Sequence, residues 1–246
     1  MKISVKNESG NTITLDEAHG YAVTEVTGLS PATAQINTTK TAGDDGSLFN
    51  SAMIAQRNIV LTVYMLPDVE AHRRMLYAYL APKRKVTLYF ENGGRAAHIS
   101  GRVESFEGTF YTSAEVFSIS IICTEPHFLN DTDITKNVAA GDTALTNAGD
   151  TAVGFTLNLT ATGTSASLEI ETANGTLTIA KALTANDKIS ICTKRGAFQV
   201  LVNGSNVINT ISIEDDIPQI APGGDTLSIT GAVSGTATYT EAYIGM

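Results

Sequence analysis

The sequence predicts a mainly β protein of two domains, the first carrying one helix and the second none. Three observations carry this. Between residues 57 and 128, period-two apolar runs are interrupted once, by a stretch with helical spacing. From residue 129 onward only short alternating runs and turn signals occur. Thr, Ser, Gly and Asn are abundant and Trp is absent, a mix suited to many short strands joined by polar turns.

Residues 1–27 alternate weakly. Ile3 and Val5 mark one short strand, Ile13 and Leu15 another, and Tyr21–Val26 a third, with a turn at Asn7–Asn11. Residues 28–56 carry little regular signal and several turn residues, among them Gly28, Ser30-Pro31, Gly43 and Asp44-Asp45-Gly46-Ser47. They read as a long loop or belt that needs a partner surface, because loops of such length are functional or mobile.

Arg57–Met65 is a strand, with Ile59, Leu61, Val63 and Met65 on one face and Val60 and Tyr64 making the other partly apolar. The helix spans about 67–81. Pro67 suits its start, and Asp68 is placed to cap it, its carboxylate accepting an orphan backbone N–H. Val69, Leu76 and Leu80, flanked by His72 and Tyr79, form the inner stripe; Glu70 and Arg74 form an outer i,i+4 pair. Pro82 ends it, since the residue before a proline is pushed out of the helical region.

Lys85–Phe90 alternates, Asn92-Gly93-Gly94 turns, the return strand runs through Ala97, Ile99, Gly101 and Val103, and Phe117–Cys123 closes domain 1–130. Asn130–Asp133 reads as a polar linker. In domain 131–246 the inward faces are Phe155-Leu157-Leu159, Leu168-Ile170, Leu177-Ile179, Ile189-Ile191, Phe198-Val200-Val202, Leu227-Ile229 and Tyr239. Asn174-Gly175 and Asn203-Gly204 are hairpin signals, and strands so spaced without helices predict a β-sandwich.

Composition excludes several classes of function. The net charge of −9, with the second half the more acidic, argues against generic nucleic-acid binding. No apolar run approaches the roughly 20 residues of a membrane span, and Met1–Glu8 lacks the apolar stretch of a signal peptide. Cys123 and Cys192 sit in separate alternating strands and are expected to be buried free thiols. His72, His98 and His127 lack metal-ligand spacing, and Asp44–Ser47 lacks the rest of a calcium loop. There is no Gly-x-Ser-x-Gly, no HExxH and no phosphate loop. No catalytic residue, cofactor or metal is expected.

Several passages, in order, carry a resemblance: Asp45-Gly46-Ser47-Leu48-Phe49; Gln56-Arg57-Asn58-Ile59; the Arg73-Arg74 helix ending Leu80-Ala81-Pro82-Lys83; Val86–Phe90; Gly101–Glu107; and Cys123–Phe128. In the second half they are Asn147–Asp150, Ala185–Ile189, Pro222–Leu227 and Tyr243–Met246. Together they resemble the distal tail protein of long-tailed phages of Gram-positive hosts, from about Gly43 onward. The resemblance implies a hexameric ring at the tail tip, built by the N-terminal domain around a channel, with a galectin-like sandwich at its periphery. It implies a tail-tube protein above the ring and a tail-tip fibre or lysin protein below, with receptor-binding proteins as a further partner class. The location it implies is the virion, after synthesis in the bacterial cytoplasm. The chain has no long insertion that would form a receptor-binding arm.

Two further readings accompany it. The basic run Arg57, Arg73, Arg74, Lys83, Arg84, Lys85, Arg95 and Arg102 is either a solvated face or a docking face for acidic surface. The interface set expected from both features is Asp45, Gly46, Phe49, Arg57, Arg73, Arg74, Lys83 and Arg84. The alternative function is a carbohydrate-binding module or adhesin, in which Tyr or Phe must replace Trp as the stacking platform.

Overall fold

The alternation of residues 57–65 is realised residue by residue. Arg57, Ile59, Leu61, Val63 and Met65 are buried, and Val60, Thr62 and Tyr64 on the other face are half-buried. The structure, a computed structural model, describes residues 1–43, 45–110 and 115–246. The chain divides into two units, Met1–Leu129 with Ile244–Met246, and Asn130–Tyr243. In sequence the second unit is thus inserted into the first.

The first unit contains β1 (Lys2–Asn7), β2 (Thr12–Thr14), β3 (Tyr21–Thr27), β4 (Ala34–Thr39), β5 (Leu48–Ile54), β6 (Arg57–Met65), α1 (Val69–Leu80), β7 (Lys85–Asn92), β8 (Arg95–Gly108) and β9 (Val116–Cys123). One antiparallel sheet runs β2-β1-β7-β8-β9-β6-β3. Consecutive strands β6 and β7 are separated in it by β8 and β9, and α1 makes the crossing. The predicted turn at Asn92 holds: Asn92 pairs with Arg95, and Gly93 and Gly94 take φ of +58° and +89°. Both values are at home in a two-residue hairpin loop and open to glycine at no steric cost.

The helix rests on Leu76 and Leu80, both fully buried, with Val69, His72 and Tyr79 half-buried. The Tyr21 hydroxyl donates to the His72 carbonyl at 3.2 Å, tying β3 to α1. Glu70 pairs with Arg74 at 2.8 Å, as expected, and with Arg73 as well. Helical geometry stops at Leu80, because Ala81, just before Pro82, is extended with ψ 143°. The expected role of Asp68 is corrected. It precedes the helix at φ +71°, in the left-handed region, and its carboxylate accepts no capping bond. Its contribution is the turn of the backbone, which Asp tolerates better than most residues.

Residues 28–56 are also corrected, from loop to hairpin. β4 and β5 pair antiparallel as a sheet of their own. The register shifts between Asn37 and Thr38, so that Asn50 is extra. That bulge hid the strands: it breaks the alternation of β5, and neither face packs on a core to give apolar contrast.

The second unit begins within β10 (Phe128–Asn130). It continues through β11 (Ile134–Leu145), β12 (Phe155–Ala161), β13 (Leu168–Thr172), β14 (Gly175–Ile179), β15 (Lys188–Cys192), β16 (Gln199–Val202), β17 (Ser205–Asn206), β18 (Ile211–Glu214), β19 (Asp225–Tyr239) and β20 (Ala242–Tyr243). The order is β17-β16-β15-β12-β19-β13-β14-β18, with β11 also on β19. β19 serves two leaves. Its first part, Ser228–Thr230, pairs with β13, and its last part, Val233–Tyr239, pairs with β12. Gly231, at φ +148°, lies between the two parts. The predicted inward residues are buried, except that Phe198 is half-buried ahead of β16. The Asn203-Gly204 turn is as expected, whereas the first loop is Ala173-Asn174, with Gly175 already in β14. Cys123 is buried and Cys192 half-buried, and both are free thiols.

Candidate assembly interface

The β4–β5 hairpin is where the first unit leaves apolar surface uncovered. Every residue of both strands is exposed. The bulge at Asn50 sorts them. The ladder sets Ala34 opposite Ile54, Ile36 opposite Ala52, and Thr38 opposite Phe49, so Ile36, Phe49, Ala52 and Ile54 share one face. Asn37 and Ser51 lie on the opposite face and hydrogen-bond at 3.0 Å. That opposite face is mixed, carrying Gln35 and Thr39 together with the exposed Met53 and Leu48, so the more continuously apolar face is that of Ile36, Phe49, Ala52 and Ile54. Phe49 is 66% exposed and Ile36 64%. Burying side chains of this size gains about 1.5–3 kcal/mol each.

The hairpin is rooted by Arg57. This residue opens β6, separated from β5 by Ala55 and Gln56, is 3% exposed, and spends its guanidinium on backbone carbonyls. Nε donates to Pro126 at 2.8 Å, Nη1 to Gly28 and Ser30 at 2.5 Å each, and Nη2 to Ile244 at 2.6 Å. Its carbon Cζ sits 4.6 Å from the centre of the Phe128 ring. Burial draws its pKa down from the ordinary value. A planar fork with five donors is the side chain able to hold so many carbonyls at once.

The expected interface residues fall into three groups. Asp45 and Gly46 lie in the hairpin turn and are exposed, Gly46 at φ +91°, and Phe49 is on β5. Asp44 lies outside the described residues. Arg74, Lys83 and Arg84 are exposed at α1 and the turn after it, where Arg84 donates to the Ala78 carbonyl and Lys83 adopts φ +73°. Arg73 is half-buried between Glu70 and Glu115, with its guanidinium 5.0 Å from the Phe110 ring. Arg57 is the correction: its guanidinium faces inward and is occupied, so it acts on the hairpin from beneath and presents no charge to a partner. Sequence reasoning missed Ile36, Ala52 and Ile54, whose shared face becomes visible only when the bulge is known.

The histidines serve packing and local bonds. His72 lies against Tyr21, His98 against Tyr89, and His127 Nδ1 is 3.0 Å from Glu125. Among the described residues no cluster of His, Cys, Asp or Glu could hold a metal ion. Among the described residues no helix is long and apolar enough to cross a membrane.

Two family models match the chain: the phage tail protein RIFT-related domain over residues 8–123, and the siphovirus-type tail component, C-terminal domain, over residues 148–243. Among solved structures the chain is similar in fold to the SPP1 Dit protein, described as a paradigm of the hub adsorption apparatus in phages infecting Gram-positive bacteria. The identity is 16%, the TM-score 0.74, and 98% of each chain is covered. A chain of the phage P2 baseplate in its activated conformation with Ca is 10% identical over 97% of each chain, with a TM-score of 0.47. No curated protein sequence matches.

Proposed function

The chain belongs to the siphophage distal tail protein family, a structural component of the phage tail tip, and from that premise we propose that it closes into a hexameric ring through the β4–β5 hairpin. The observation that supports this is the apolar face of Ile36, Phe49, Ala52 and Ile54, on a hairpin that among the described residues pairs with no other strand. A cyclic ring needs a head-to-tail contact, in which one patch of each copy meets a different patch of the next. A protruding arm with one apolar face supplies the first of these.

In this reading the ring joins the tail tube to the tail-tip fibre or lysin protein, and receptor-binding proteins attach to it. The second unit is a galectin-like sandwich at the periphery. The exposed Arg74, Lys83 and Arg84 form a docking edge for acidic surface, and Asp45, Gly46 and Phe49 form the tip and flank of the arm. The protein catalyses nothing, and it is made in the host cytoplasm before joining the virion. The family matches do not favour the carbohydrate-binding alternative.

The test is the solution mass by light scattering over a range of concentration. The ring predicts a mass near six times 25.9 kDa, reached by the chain alone or on addition of its tail-tube protein. Phe49→Glu with Ile36→Glu should abolish that species and leave the fold intact. A double variant that still forms the ring would exclude the hairpin as the contact.

A further inference from the structure

The chain leaves the first unit after Leu129 and re-enters it at Ile244, and those last residues meet the root of the hairpin. The Met246 amide donates to the Leu29 carbonyl at 3.0 Å. The Ile244 carbonyl shares the Arg57 guanidinium with Gly28 and Ser30. Gly245 lies so close that an added Cβ would stand 3.0 Å from the Leu29 oxygen and 3.3 Å from Pro31 Cδ. The outgoing leg of the hairpin, residues 28–33, therefore has its carbonyls held by Arg57 and by the returning segment. The other leg is fixed by running directly into β6.

We propose that Ile244–Met246 is a latch that sets the bearing of the β4–β5 arm for assembly, with Arg57 and Gly245 as its positioning residues. This rests on the reading of the hairpin as the ring contact. Among the described residues the hairpin pairs with no other strand, so its direction is set at its root. A ring of fixed size tolerates little variation in that direction. Releasing the latch should leave β6 and β9 protected and let the arm swing.

The experiment compares the full chain with Gly245→Val and, separately, Arg57→Lys. Lysine keeps the charge but has three donors and no fork. Hydrogen exchange is read at Met246, whose amide donates to Leu29, and at Ala55, whose amide donates to Thr33 at the base of the hairpin. In both variants exchange at these amides should rise at least about tenfold, with β6 and β9 unchanged. Ring formation should then need at least about tenfold more protein. Unchanged root exchange would overturn the latch. So would faster exchange spread through β6 and β9, or unaltered assembly despite a loosened root. The Phe49→Glu, Ile36→Glu variant separates the two readings: if it alone fails to assemble, the hairpin contact stands and the latch falls; if it assembles normally, the hairpin reading itself has failed. For a chain that stays monomeric by itself, root exchange in Gly245→Val decides.

Discussion

Nη2 of Arg57 donates to the carbonyl oxygen of Ile244 at 2.6 Å, joining residues 187 positions apart in the chain. The same side chain holds Gly28, Ser30 and Pro126, so it draws three distant segments to one point beneath the hairpin.

Replacing Arg57 by Met keeps the stem and removes every donor. Four carbonyls then lose their partner, those of the buried Pro126 and half-buried Gly28 and those of the exposed Ser30 and Ile244, and each group left unsatisfied away from water costs about 1–3 kcal/mol before relaxation or water offsets it. The expected net loss is about 3 kcal/mol, read as a lowered midpoint in denaturant unfolding. Arg57→Lys should lie between the two. A Met variant as stable as the parent would show that these bonds contribute little.

Leu76 is fully buried under α1, which otherwise buries only Leu80. Leu76→Ala should cost about 3 kcal/mol, the usual loss for a truncated core leucine. Met75→Ala, one position away and 52% exposed, should change stability by less than about 0.5 kcal/mol. The contrast between the two by thermal unfolding tests the orientation of the helix.

Asp68 offers a sharper comparison. If its carboxylate were the helix cap, Ser would replace it with little loss. Because the residue instead holds φ +71° without a capping bond, Asp68→Gly should fall within a few tenths of a kcal/mol of the parent, roughly 0.3, and Asp68→Ser should lose about 1 kcal/mol. Equal stability of the two variants would contradict the left-handed role.

Burial pushes the Cys123 thiol up to about 11. The thiolate is the reactive form, so at pH 8 a maleimide should modify the half-buried Cys192 and leave Cys123 untouched until the chain unfolds. The sign of the stability effect follows. The fold favours the neutral thiol, so this contribution is complete below the unfolded pKa of about 8.5 and is lost as pH rises from there through about 11. The stability gap between the parent and Cys123→Ala should narrow over that range in denaturant titrations. A gap independent of pH would show that the thiol titrates normally.

The sheet of the first unit was legible because its apolar residues sit at period two against a core, as in Ile59, Leu61 and Val63. The inward faces of the second unit were legible for the same reason. The hairpin was not. Asn50 is a bulge, and a strand with water on both sides has no burial to write a period into its sequence. Its exposed apolar face was half legible: Phe49 stood out, while Ile36 and Ile54 needed the register. Arg57 was singled out as one of a run of basic residues, and charge alone gives no sign that a guanidinium points inward. Its four acceptors come from segments far apart in the chain, so the bonds exist only once the fold brings them together.

The insertion of the second unit between Leu129 and Ile244 also bears on how such a protein changes over time. Its incoming and outgoing strands lie side by side: the Asn130 amide donates to the Glu241 carbonyl at 2.9 Å, and the Asn130 side chain reaches both the Glu241 carboxylate and the Tyr243 hydroxyl. A cassette whose two ends meet in this way is exchangeable. Any domain with adjacent termini could replace it by recombination at two points, leaving the sheet, the hairpin and its root as they are.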